Sequence, residues 1–169
     1  MPEFLEDIIE KNLNCVHYIK TPDQQLPLFN GSYSQKINKI EKYLDGYKPD
    51  SKNKNLGGLC KIRHKNHFFI MDVDRPPNKK FSKSYQSGPL SFEYFLDGIK
   101  IITNSGFGSH ISRKAELLSR LTASQSTLNI NDTSITKFER NAMINEVFGN
   151  SIQNSFKSFD FFSKNENNL

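Results

Sequence analysis

A mainly β fold is what this sequence of 169 residues predicts: an antiparallel, sandwich-like sheet, partial in extent, carrying N-terminal α-helices. Three observations carry that reading. Runs with a two-residue period flank the turn dipeptides Lys65-Asn66 and Asp97-Gly98. A three-to-four-residue period is confined to about the first 45 residues. Only 36% of the chain is apolar, yet 14 Phe and 6 Tyr supply bulky groups for a core, so wholesale disorder is excluded. The length suits one domain.

The elements follow in order. Leu5, Ile9, Leu13 and Val16 recur at helical steps, with Phe4 and Ile8 beside them, so one amphipathic helix is expected from Glu3 to Ile19. Thr21-Pro22-Asp23 and Leu26-Pro27 end it, and Asn30-Gly31-Ser32 turns the chain. Ile37, Ile40, Tyr43 and Leu44 predict a second short helix, which closes the helical segment 1–45. The aperiodic Lys- and Asn-rich run over 46–56 is a linker. A β region then spans 57–162. Strands are expected over 57–64 and 68–74, and a second hairpin runs from Leu90 to Thr103 around Asp97-Gly98. In that hairpin Leu90, Phe92, Ile99 and Ile101 are expected to face inward, with Ser91 and Glu93 on the other face. Arg113 to Leu121 has helical propensity, Ser126 to Asn131 reads as a strand, 139–148 is ambiguous, and the polar tail 163–169 is expected to fray.

Charge and composition narrow the function. Lys plus Arg is 23 against 18 Asp plus Glu, a net charge of +5. The excess is mostly scattered lysine, and with no stacking motif of the RNP type a nucleic acid partner is not expected. The apolar run 68–71, and the stretch 99–102 interrupted by Lys100, are far short of the ~20 residues that a membrane helix needs. The acidic start (Glu3, Glu6, Asp7) is unlike a signal peptide. Cys15 and Cys60 have neither metal nor redox spacing and are expected to be small buried residues. His64 and His67 flank a hairpin turn and should lie on the surface without chelating a metal. Ser105-Gly106-Phe107-Gly108-Ser109-His110 lacks a phosphate-loop pattern and reads as a flexible connection. Two glycosylation-type triplets, 30–32 and 131–133, are given no role.

One group of motifs is more specific. Gly88-Pro89-Leu90-Ser91-Phe92-Glu93 is followed by a hairpin ending at Asn104-Ser105-Gly106 and then by Arg120-Leu121-Thr122-Ala123-Ser124-Gln125-Ser126-Thr127. In that order, with Asp72-Val73-Asp74-Arg75-Pro76-Pro77 ahead of them, they resemble the β-sandwich core of the heparinase II/III-like polysaccharide lyases over roughly 57–135. Residues 1–45 resemble the last helices of that family's α/α toroid.

The resemblance implies a lyase that cleaves uronate-containing glycans by β-elimination. A base removes the proton α to the carboxylate, a neutralising group stabilises the enolate, and an acid protonates the leaving oxygen. It places Gln86 at the sandwich histidine, the catalytic position of this chain, with Tyr85, Asn104 and Gln125 as substrate-binding residues. Gln125 stands at a second family histidine and Asn104 at a family aspartate. Because amides exchange no proton near neutral pH and are poor zinc ligands, neither the structural zinc of some members nor any cofactor is expected. The resemblance implies an acidic polysaccharide as partner, a bacterial cell-envelope or periplasmic setting, and an incomplete, inactive copy that lacks its toroid or a partner chain. The rival reading is a non-enzymatic carbohydrate-binding or interaction module.

Overall fold

A computed structural model describes residues 2–34, 57–139 and 151–154. The second helix expected around 37–44, the linker 46–56, most of the ambiguous stretch 139–148 and the tail 163–169 lie outside the described residues.

Helix α1 spans Glu3–Ile19, the range its periodicity gives. Thr21 stops it, its hydroxyl and its amide both donating to the Gln25 carbonyl at 2.8 and 3.0 Å. Ile19, in its last turn, packs on the core, while Phe4, Leu5, Ile8 and Ile9 are exposed.

Strands β1 (Leu59–His64), β2 (His67–Asp72), β3 (Phe92–Leu96) and β4 (Ile99–Ile102) form one antiparallel sheet in the order β1-β2-β3-β4. Both hairpin turns fall where the sequence puts them. Asp97 and Gly98 both have positive φ, 52° and 78°, the backbone a primed two-residue turn requires. After a short helix α2 (Arg113–Ser119), capped by the Ser112 hydroxyl accepting from the Ala115 N–H at 3.1 Å, strands β5 (Lys137–Phe138) and β6 (Ile152–Asn154) make a second small sheet. The fold is mainly β, as predicted.

The inward face of the second hairpin is the reverse of the expected one. Ser91, Glu93 and Phe95 are buried, whereas Leu90, Ile99 and Ile101 are exposed and Phe92 is half-buried. Period-two alternation defines two faces but not which one is covered. Here a carboxylate goes inside with one oxygen hydrogen-bonded and the other, which has no hydrogen bond, facing a cation. Glu93 Oε1 accepts from the Thr103 hydroxyl at 2.8 Å, and Lys100 Nζ lies 3.5 Å from Oε2. Leu90 sits before β3 at φ 58°, and Ile101 falls in a bulge, since Tyr94 pairs with Ile102 and Phe95 with Lys100.

The expected strand over 126–131 does not form. The Ser126 hydroxyl and carbonyl both engage Phe92 of β3, but Asn131 and Asp132 adopt positive φ two residues after Asn129, leaving one isolated bridge between Ile130 and Thr133. Cys15 and Cys60 are half-buried free thiols rather than buried residues. Cys60 alternates onto the outer face with Ile62, and burial pushes both thiols above their ordinary range.

The apolar core is small: Phe29, Phe68, Ile70 and Phe95, with Ile19 and Leu59 against it and Phe68 and Phe95 edge to face at 5.5 Å. Beyond it, among the described residues, Leu28, Tyr85, Phe107 and Ile152 are also buried, but most of the buried side chains are polar. Ser87 Oγ lies 2.8 Å from Thr122 Oγ1 and accepts the Thr136 N–H at 2.8 Å, and Ser82 Oγ accepts the Ile152 N–H at 2.8 Å. With so few apolar groups, trimming one should be felt. Ile70→Val, at a side chain with no exposure, is expected to cost about 1 kcal/mol, read as a lowered urea midpoint at unchanged slope.

Candidate functional site

Three loops bring the predicted site residues together. Tyr85 and Gln86 precede β3, Asn104 follows β4, and Gln125 follows the 3-10 turn Thr122–Ser124. Gln86 is buried and its amide is fully occupied. Oε1 accepts the Gly31 N–H at 3.2 Å, and Nε2 donates to the carbonyls of Gly106 (3.1 Å) and Ser119 (2.9 Å). Gln125 Nε2 donates to that same Ser119 carbonyl at 2.7 Å. The two positions at which the resemblance expects histidines therefore converge on one backbone oxygen at the end of α2. Asn104 joins from the other side, its Oδ1 accepting the Ser126 N–H at 2.9 Å, one residue beyond Gln125.

Glycine makes this approach possible at two points. A Cβ at Gly88 would lie 2.8 Å from Gln125 Cγ. Gly31 has φ +97°, and a Cβ there would sit 2.8 Å from Ser84 Cβ, so only glycine presents its N–H to Gln86 in this way.

Tyr85 adjoins this cluster through its backbone, its carbonyl accepting from Arg120 Nε at 2.9 Å. Its ring lines a separate cavity of about 210 Å³ with Asn30, Asp72, Asp74 and Ser84. Burial pushes the Tyr85 phenol well above its ordinary range, the carboxylates of Asp72 and Asp74 add to that, and Thr136 opposes it. Asp72 is raised too, first by burial, although the Asn30 side-chain amide donates to its Oδ2 at 2.7 Å.

Sequence reasoning missed several partners. The Gly106 to Gly108 segment, expected to be a flexible connection, is buried and hydrogen-bonded to Gln86 because its carbonyl is an acceptor the amide needs. Gly31 lies in a triplet given no role. Ser119 and Arg120 lie in the stretch of helical propensity, and Arg120 opens the Arg120 to Thr127 motif, but the sequence assigns neither a role. His64 and His67 are exposed, with His67 Nδ1 2.7 Å from the Tyr94 hydroxyl.

The donor set does not fit the zinc that some members of the resembling family hold. At Gln86 and Gln125 the amide nitrogens are donors to carbonyls, and among the described residues no group of three or more His, Cys, Asp or Glu is placed to hold a metal ion.

Comparison with known proteins places this arrangement. The chain is similar to the crystal structure of heparinase III, with a TM-score of 0.61 at 18% identity over 83% of this chain and 29% of that one. It is similar to a second heparinase III gene product with methylated lysines (TM-score 0.56, 15% identity, 83% of this chain and 26% of that one). A heparan sulfate lyase HepC mutant from Pedobacter heparinus gives a TM-score of 0.52 at 19% identity over 74% of this chain and 25% of that one. At these identities the likeness is one of fold, and the chain spans less than a third of the length of each. No curated protein matches it. The family model described as heparinase II/III-like, C-terminal, matches residues 47–166, well over half of the chain, and this protein therefore belongs to the heparinase II/III-like family through that C-terminal β-sandwich region.

Proposed function

We propose that this chain is a sandwich-side component of a heparinase II/III-like protein that binds an acidic, uronate-containing polysaccharide and does not cleave it by itself. The observation that carries this reading is the state of Gln86. At the position where the family resemblance expects a proton-handling histidine stands an amide whose donors and acceptor are spent on Gly31, Gly106 and Ser119. Gln86 thus holds the catalytic position, and Tyr85, Asn104 and Gln125 the substrate-binding ones, in a supporting sense: they fix the loops that form the wall presented to the glycan. Residues 1–45 are read as the end of a toroid and 57–162 as the sandwich. The bacterial cell envelope is the setting that the family resemblance favours; no helix among the described residues is long and apolar enough to cross a membrane.

The same observation favours the carbohydrate-binding module over a working lyase. Titration calorimetry with heparan sulfate, hyaluronan and alginate, with dextran as an uncharged control, tests the reading. Saturable binding of at least one acidic glycan that weakens as salt rises is the expected result. Equal affinity for dextran, or no binding to any of them, would refute it.

A further inference from the structure

Among the described residues, the cations gather at one place. The loop that leaves β2 carries Arg75, Lys79, Lys80 and Lys83 with no acidic residue between them. All four are exposed, and none is in an ion pair among the described residues. Asp74, just ahead of the loop, is turned back on the chain: its Oδ1 accepts the Arg75 N–H at 2.7 Å, and a Cβ at Gly58 would lie 2.6 Å from its Oδ2. Between the lysines stands Phe81, 70% exposed and the most exposed phenylalanine among the described residues. An open ring forgoes the gain of leaving water, and cations of one sign set beside it repel one another. A surface that offers negative charge over an apolar layer relieves both.

The loop holds a fixed shape. Lys79–Phe81 is a 3-10 turn, in which the Phe81 N–H donates to the Asn78 carbonyl at 2.8 Å. Ser82, with no exposure, roots it: its hydroxyl donates to the Lys79 carbonyl and accepts the Ile152 N–H, both at 2.8 Å, and its carbonyl accepts from Arg120 Nη2 at 2.9 Å. Pro76 and Pro77 restrict the backbone on the other side. Lys80 Nζ stands 5.7 Å from the Phe81 ring centre, so charge and ring are presented together. Little of the backbone is left to order on binding.

We propose that this loop docks the protein on the surface of a bilayer that carries anionic lipid headgroups. Phe81 enters the boundary between headgroups and acyl chains, and Arg75, Lys79, Lys80 and Lys83 meet the phosphates. The contact is peripheral, independent of the glycan reading above, and shares no residue with the amides that converge on Ser119. A soluble polyanion answers the charges but offers no apolar layer to the ring. A single-stranded nucleic acid fits less well, because one ring is no row of platforms for successive bases.

The chain has no tryptophan, so Phe81→Trp puts a lone reporter at the tip of the loop. The full chain is mixed with vesicles of phosphatidylcholine containing about 30% phosphatidylglycerol, and with vesicles of phosphatidylcholine alone. With the anionic vesicles the Phe81→Trp emission is expected to move to the blue and to be quenched by brominated acyl chains, and with the neutral ones to stay unchanged. In co-sedimentation the wild type is expected to bind the anionic vesicles. Lys79→Gln and Lys80→Gln should each weaken that binding about fivefold, and Phe81→Ser about tenfold. Lys114→Gln, which removes an exposed charge on α2, should weaken it less than twofold. Thermal melting shows that each variant is folded, which the exposure of all these side chains favours. Absence of binding, or equal binding to the neutral vesicles, would overturn the proposal. So would binding that falls with the lysines but is indifferent to Phe81→Ser and gives no blue shift, which is polyanion attraction alone. A loss in Lys114→Gln equal to that in Lys80→Gln would assign the attraction to the net charge and not to the loop.

Discussion

Heparin, heparan sulfate, alginate and hyaluronan incubated with the purified chain are expected to give no rise in the ultraviolet absorbance of unsaturated uronate. β-Elimination needs one group that removes a proton from carbon and another that returns one to the leaving oxygen, and a properly placed acid or base contributes on the order of 100- to 10,000-fold. Gln86 can do neither. Its amide has no proton to exchange near neutral pH, and its donors are already committed to Gly106 and Ser119. Tyr85 does not replace it as a base, because burial and the nearby Asp72 and Asp74 keep the phenol protonated. The four histidines, His17, His64, His67 and His110, are all exposed, and His110 ends the turn whose Gly108 N–H donates to the Ser119 hydroxyl at 3.0 Å. A rise in absorbance that Gln86→Ala abolishes would mean that the amide suffices. A rise that survives Gln86→Ala would assign the chemistry elsewhere, with His110, stacked on Tyr33 at 4.6 Å, the first residue to change. Either result defeats the prediction.

The parts of this fold that the sequence announces are those in which a local rule acts alone. The Asp97-Gly98 dipeptide and the alternation around it place the second hairpin within a residue or two, and helical spacing places α1 from Glu3 to Ile19. What is hidden is anything settled by a partner distant in sequence. Which face of the hairpin is inside depends on Lys100 and Thr103 meeting Glu93. Whether 126–131 pairs as a strand depends on the turn at Asn131 and Asp132 as much as on its own residues. At the candidate site, the motif order identified the three amide positions, yet it carried no hint that Gln86 and Gln125 share the Ser119 carbonyl, since a backbone acceptor leaves no mark on residue type.

Arg120 opens the Arg120 to Thr127 motif without a role assigned to it by the sequence, and its removal is expected to have the largest effect on stability. It is 1% exposed, the largest of the fully buried side chains among the described residues. Nε donates to the Tyr85 carbonyl and Nη2 to the Ser82 carbonyl, both at 2.9 Å, while the Phe138 ring lies 3.9 Å from the guanidinium carbon. Burial lowers its pKa to about 10, with Glu116 opposing, so the group stays charged at neutral pH in both folded and unfolded chains. Its desolvation is offset by two charge-assisted hydrogen bonds and the ring. Arg120→Leu removes all three, leaves the buried Tyr85 carbonyl without a donor, at about 1–3 kcal/mol, and leaves the Ser82 carbonyl with the Tyr85 N–H alone at 3.1 Å. The expected total is about 3–5 kcal/mol, or roughly 10 °C in Tm for a chain of this size. Arg120→Lys should recover only part of this, because one ammonium cannot reproduce the fork that spans Ser82 and Tyr85. Arg113→Leu, at an exposed position on α2, serves as the control and should change stability by less than about 0.5 kcal/mol. Melting of Arg120→Leu within about 1 kcal/mol of the wild type would show that the Ser82 and Tyr85 carbonyls find other donors, and that the brace behind the Gln86 loop lies elsewhere.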